Sequence, residues 1–337
     1  MSIITGTNWN AYDAATMTAR EIYGRTLAEL GKQNDKIVGL TADLEKTTSI
    51  VHFSKEFPNR FFNVGIAEQN MFGIAAGLAM AGLMPFASTM AAFASMRAIE
   101  MIRTDIAYQN LPVRIIATHA GISFGHAGTT HHCTEDFAIM RSVANMTVIC
   151  PADGIETSKA VQACVDVPGP VYIRIGRGFE PPCYESDDYK FEIGKAVTMR
   201  EGTDLTIICC GTAVLQAVNA AKTLQENDGL SVRIVNMHTI KPIDREAILK
   251  AVEETRRVLT IEEHNVEGGL GDAVASVIAE SGKGCVFKKH GINDLYATIG
   301  YAEDLYSHYG LDANGVVDKV REMLGMEFEA DENWDDD

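Results

Sequence analysis

Short apolar runs alternate with stretches of helical period through most of this chain, and that alternation limits the folds open to it. Strand-like runs are read at Lys36–Leu40, Phe61–Val64, Pro85–Ser88, Val113–Thr118, Thr147–Cys150 and Val171–Ile175. Helical stretches at 16–30, after Glu68, at Ala91–Gln109 and at Gly154–Val165 lie between them. Buried strands joined through helices satisfy their backbone groups in a parallel sheet with helices on both faces. The stretch 178–192, with Pro181-Pro182 and Asp187-Asp188, has no apolar period and is read as a linker, centred on 181–192. A second series follows: strands at Leu205–Cys210, Ser231–Val235 and Arg257–Ile261, and helices at Ala213–Gln225, Asp244–Thr255 and Gly271–Ser281. The expected fold is α/β with two doubly wound domains, 1–180 and a smaller 193–326, followed by an acidic tail at 327–337. A chain of 337 residues is long enough for two cores.

From Gln69 to Met96 there is no charged residue. That length raises the question of a membrane span, but the small residues, Pro85 and the Ser88-Thr89 pair fit a helix, a turn and a second element. No span is expected. Gly73 and Gly77 are read as a place of close helix packing inside a water-soluble core. Glu68 stands at the lip of the run. A carboxylate there is partly desolvated and needs a hydrogen-bonding partner; it is either a first-turn acid favoured by the helix dipole or a functional group.

The formal charge of −17 argues against nucleic acid and anionic membrane as partners, and seven of the negative charges fall in the tail after Met326. Seven cysteines form no CxxC pair, which points to a reducing, cytoplasmic compartment without disulfide or metal roles. Met1–Asp13 has neither a basic start nor an apolar core, so no signal peptide is expected there.

In open α/β sheets ligands bind beyond the carboxyl ends of the strands. Asp43, Glu68, His119, Asp153 and Arg177 each follow a strand-like run. His126, His131 and His132 cluster downstream of His119, in a spacing that matches no usual zinc finger. They read as a polar pocket for a hydroxylated substrate, or as structural histidines. Gly268, Gly269 and Gly271 precede a helix and could cradle a phosphate, but Glu262 and Glu263 nearby favour tight helix packing.

The string Gly65-Ile-Ala-Glu-Gln-Asn-Met71 resembles the pyrimidine-domain signature of transketolases and related thiamine-diphosphate enzymes. The order continues through Ala42-Asp43-Leu44, Ser88-Thr89, Thr118-His119-Ala-Gly-Ile-Ser, Gly128-Thr-Thr-His131 and Ile173-Arg-Ile-Gly-Arg177. Thr260-Ile-Glu-Glu-His-Asn and Glu267-Gly-Gly-Leu-Gly resemble the family's C-terminal domain, so the likeness spans roughly residues 15 to 325. It implies that Glu68 hydrogen-bonds the cofactor's aminopyrimidine at N1′, that Asp43 lies near the cofactor at a subunit interface, and that His131 lies near the sugar hydroxyls and carbonyl. It implies a sugar-phosphate site of Arg20, Thr47, His119 and Arg177, with Thr47 standing where a serine is usual. The implied reaction moves a two-carbon ketol unit from a phosphorylated ketose to an aldose through a thiamine-diphosphate adduct.

Three departures from the family pattern qualify these expectations. Met90 stands where a phenylalanine stacks on the pyrimidine, with Phe93 close by in sequence. His126-Ala127 stands in place of Glu-Asp in Gly-Glu-Asp-Gly, and the missing aspartate is a reader of a ketose hydroxyl, so the sugar is left open. The diphosphate-binding domain, with its Gly-Asp-Gly and Asn signature, has no counterpart; Ala152-Asp153-Gly154 lies inside the pyrimidine-domain match. The resemblance therefore implies the C-terminal subunit of a split transketolase. Its N-terminal partner would bring the Mg²⁺ ligands, in an α2β2 heterotetramer. The alternatives are the beta subunit of a 2-oxo-acid dehydrogenase and a degenerate, non-catalytic partner subunit.

Overall fold

The computed structural model describes residues 16–178, 180–184 and 188–325. The N-terminal stretch read for a signal peptide and the acidic tail lie outside the described residues. Six parallel strands come first: β1 (Ile37–Thr41), β2 (Phe61–Asn63), β3 (Met84–Met90), β4 (Arg114–Thr118), β5 (Thr147–Ile149) and β6 (Val171–Arg174). They lie side by side in the order β5-β6-β4-β3-β1-β2. β1, β4 and β6 are buried along their whole length, as strands covered on both faces must be.

The second half supplies β7 (Val197–Arg200), β8 (Leu205–Cys209), β9 (Val232–Asn236), β10 (Thr239–Lys241), β11 (Arg257–Asn265) and β12 (Val286–Ile292). Five of these make a sheet ordered β12-β11-β8-β9-β7, parallel except for β7 against β9. β10 instead pairs antiparallel with β5 and extends the first sheet to seven strands. The two halves are thus joined through a shared sheet edge as well as by packing. The α/β reading with mainly parallel sheets stands; β7, β10 and β12 were not read from the sequence, because each is short or half exposed and carries no apolar run.

Local sequence explains the helices that frame the first sheet. Thr18 caps helix Ala19–Gln33 by accepting from the Glu21 N–H, a contact worth about 1 kcal/mol. Ile22, Tyr23 and Leu27 form its buried stripe. Gly24 is needed where this helix crosses the chain after β1, because a Cβ there would come 1.9 Å from the Ser49 carbonyl oxygen. The helix runs on past the stretch 16–30 to Gln33, and Gly31 is needed inside it because Phe53 and Phe57 occupy the space a Cβ would take.

Three further expectations are corrected. The helix expected over Ala91–Gln109 is broken into π turns at Phe93–Arg97 and Ile102–Ala107 around one α turn at Ile99–Met101. π turns of this kind collect at functional sites. Gly77, on helix Glu68–Met80, meets no atom within 4 Å of a Cβ position and is exposed, so it is not packed inside this chain, whereas Gly73 is half-buried with the Asp105 carboxylate 4.0 Å from its Cβ position. Asp153 caps helix Gly154–Ala163 and accepts from the Cys183 and Tyr184 N–H groups, which places it in the framework, away from the site. No helix of the described residues is long and apolar enough to cross a membrane.

Candidate active site

The carboxyl ends of β2, β1, β3, β4 and β6 lie along one edge of the sheet, and the candidate residues leave from there. Two non-glycine residues at these ends have left-handed backbones: Asp43 at φ 61° and His119 at φ 59°. Such conformations cost free energy and are held by their surroundings. Asp43 is held by Asn63, whose side-chain oxygen accepts from the Asp43 N–H at 3.1 Å and also from the Gly65 N–H. Asp43 and Asn63 form an exposed lip at the ends of β1 and β2.

Glu68 is the first residue of helix Glu68–Met80 and is only 2% exposed. Its carboxylate accepts no side-chain or backbone hydrogen bond from a described residue; its one charged neighbour is Arg97 at 3.6 Å. Buried carboxylates ordinarily have partners. Arg97 lies over the Phe93 ring at 4.8 Å, and Phe93 meets the His131 ring edge-on at 5.5 Å. Met90, buried at the end of β3, is in register with Thr118, the residue before His119.

A second cluster surrounds Phe124. His119, His126 and His131 all present edges to it, with centroids 5.0, 4.9 and 5.4 Å away, and the Arg177 guanidinium sits 4.6 Å from its centre. Arg20 reaches in from the first helix and donates from Nε to the Arg177 carbonyl at 2.8 Å and from a terminal nitrogen to the Thr47 carbonyl. In the structure it is the Thr47 carbonyl, and not its hydroxyl, that meets Arg20. His119 is buried, and burial together with the positive fields of Arg20, Arg177 and His131 pushes its imidazole down to about 3. It is neutral at ordinary pH and shares a 2.8 Å hydrogen bond with the Thr118 hydroxyl. His132 turns away, to the Gly125 carbonyl at 3.0 Å. Among the described residues no group of three or more His, Cys, Asp or Glu side chains could hold a metal ion.

Two poles therefore face each other across Phe93 and His131: an unsatisfied buried carboxylate, and a cationic pocket suited to a dianion. The chain matches the model for the transketolase pyrimidine-binding domain over residues 15–179 and that for the transketolase C-terminal domain over 194–316. The chain belongs to the transketolase family. It is 46% identical to a putative transketolase C-terminal section of Methanocaldococcus jannaschii, over 91% of this chain and 96% of that protein. It is 39% identical to one of the subunits of an apulose-4-phosphate transketolase of Phocaeicola vulgatus, over 91% of this chain and 98% of that one. A solved split-gene transketolase, described as an inactive beta4 tetramer, superposes with a TM-score of 0.82 at 45% identity and covers 93% of this chain and 99% of its own.

The family implies thiamine diphosphate as cofactor, and the domain matched over residues 15–179 is the one that binds its pyrimidine. The residues fit a pyrimidine: Glu68 has Arg97 as a charged neighbour but no hydrogen-bond donor, the Thr89 hydroxyl is buried without a partner, and Met90 and Phe93 supply apolar surface. Ala152-Asp153-Gly154, the string that most resembles Gly-Asp-Gly, does not serve a diphosphate, because Asp153 is spent as a helix cap. The glycines before helix Leu270–Ser281 do not receive an external anion either; the Glu262 carboxylate fills that place, accepting from the Leu270 and Gly271 N–H groups at 2.6 and 2.7 Å. The sequence reading missed Phe124, Arg97 and Asn63. Only the Gly-rich setting of Phe124 hinted at a role.

Proposed function

We propose that this chain is the C-terminal subunit of a two-component transketolase, moving a two-carbon ketol unit from a phosphorylated ketose to an aldose. The observation that carries the reading is Glu68, a buried carboxylate without a hydrogen-bond donor, facing a pocket of histidines, with His119 neutral, and two guanidinium groups. Thiamine diphosphate, when bound, supplies the nucleophilic carbon that carries the two-carbon unit. Glu68 holds and returns a proton at N1′ of its aminopyrimidine, a form of general acid–base catalysis. Arg20 and Arg177 bind the sugar phosphate; His131 and the neutral His119 donate to or accept from the sugar oxygens, and Phe124 keeps their rings and Arg177 in register. His126-Ala127, in place of the acidic pair, leaves one sugar hydroxyl without a carboxylate partner, so the preferred ketose differs there from the substrate of a full-length enzyme.

The Mg²⁺ and diphosphate ligands would come from an N-terminal partner subunit. The partner's face is the exposed side of helix Glu68–Met80, where Ile66, Met80 and open Gly77 continue the lip formed by Asp43 and Asn63. The phosphate pocket favours this reading over a 2-oxo-acid dehydrogenase subunit, whose substrates lack a phosphate. The test is calorimetry and a coupled assay. The isolated chain should bind thiamine diphosphate poorly, and the chain mixed with an N-terminal subunit should bind it and transfer ketol from a ketose phosphate. Tight binding by the isolated chain, or pyruvate decarboxylation without ketol transfer by the mixture, would overturn it.

A further inference from the structure

The loop from His119 to Cys133 carries the histidines and Phe124, and it is held from the second domain. Gly121 and Cys133 bridge its two ends by backbone hydrogen bonds of 2.9 and 2.8 Å. Between His119 and Phe124, the Ile122 N–H donates to Oε1 of Glu263, on β11 of the other sheet, at 2.7 Å. Glu263 is 3% exposed. Oε1 also accepts from the Tyr306 hydroxyl at 3.1 Å, and Oε2 accepts from the Thr212 hydroxyl at 2.7 Å. Its carbonyl accepts from Arg174, at the end of β6, at 2.7 Å. Gly121 is adapted to this contact: its φ is 59°, and a Cβ there would come 2.3 Å from Oε1.

We propose that Glu263 is a positioning residue for the sugar site, through which the second domain sets the loop that presents His119, Phe124 and His131. The inference rests on the transketolase reading for its effect on the reaction, but its structural half does not. A carboxylate buried against a backbone N–H is a costly way merely to fill space, since an apolar side chain would pack there without desolvation. Of the three groups that donate to this carboxylate, only the Ile122 N–H belongs to the loop, three residues after His119 and two before Phe124. A shift at Ile122 therefore moves both rings against Arg177. Asn265, two residues on in β11, donates its N–H to the Thr134 carbonyl at 2.8 Å and fixes the far side of the same loop. Glu68 and helix Glu68–Met80 make none of these contacts.

The test compares Glu263→Ala and Glu263→Gln in the full chain, alone and reconstituted with the N-terminal subunit. In the chain alone, hydrogen exchange should rise at least tenfold at the Ile122 amide and its neighbours in Glu263→Ala, with helix Glu68–Met80 unchanged. In the complex, KM for the ketose phosphate should rise at least tenfold while the Kd for thiamine diphosphate stays within twofold. Glu263→Gln, which keeps an acceptor for Ile122 and can donate to the Thr212 hydroxyl, should recover most of both effects. Unchanged exchange in the loop, or cofactor affinity falling in step with KM, would overturn the proposal. If the wild-type complex transfers no ketol, the transketolase reading fails, and the exchange measurement still decides the role of Glu263.

Discussion

The Glu68 carboxylate and the Arg97 guanidinium stand 3.6 Å apart, the first side chain 3% exposed and the second 55%. The pair is lopsided: the acid is almost covered, while the base is half exposed. Replacing Glu68 with Gln removes the charge that has to be desolvated and keeps the shape. Turnover of the complex should fall by about 10²–10⁴-fold, the usual worth of a general acid–base group, with no drop in thermal midpoint. Normal turnover in Glu68→Gln would remove Glu68 from the mechanism.

Arg177 pairs its charge with an aromatic face, 4.6 Å from the centre of Phe124. In Arg177→Ala, KM for a phosphorylated ketose should rise about 10- to 100-fold, as expected for loss of a charged hydrogen bond worth about 1.5–3 kcal/mol. An unphosphorylated ketose should lose little. Arg20→Ala should behave similarly and also loosen the 177 and 47 backbones that it ties together. Equal losses for both sugars would place the phosphate elsewhere.

His119 gives a pH dependence whose sign follows from its lowered value, about 3 against an ordinary 6.5. Between those values the unfolded chain binds the proton and the native one does not. The contribution to stability is whole above pH 6.5 and is lost as pH falls from there toward 3, by about 1.4 kcal/mol per pH unit. Asn tolerates the same left-handed backbone and does not titrate. Urea titrations at pH 7, 6 and 5 should show His119→Asn gaining on the wild type at each step down. Parallel curves would show that the imidazole takes up its proton in the fold as it does in the unfolded chain.

Gly77 lies on the open side of helix Glu68–Met80. Gly77→Lys should stabilise the chain itself by about 1 kcal/mol through helix propensity. The same change places a charge in an apolar contact, and it should abolish assembly with the N-terminal subunit. Gel filtration of the mixture checks this. Wild-type assembly in the lysine variant would move the interface elsewhere.

Several site residues were legible because the strand-end rule is local. Asp43, Glu68, His119 and Arg177 each follow a strand, and each sits at the sheet edge as expected. Asp153 obeyed the same rule and proved to be a helix cap, since a short acid after a strand serves a following helix equally well. The broken helix over Phe93–Ala107 was hidden because its apolar content fits a regular helix; only packing shows where the turns widen. Arg97 falls within the stretch read as a regular helix, and nothing in its sequence neighbours points to Glu68.

The sequence by itself determined the two α/β halves, their parallel sheets and the identity of the lone acid before an uncharged run. Those follow from periodicity and from the cost of burying charge, which act over a few residues. Tertiary structure decided what the acid and the loop have to work with. Arg20 and Arg177 are 157 residues apart and Ile122 and Glu263 are 141 apart. Contacts of that separation are set by how whole sheets and helices pack, and no local pattern encodes which donor will meet which carboxylate.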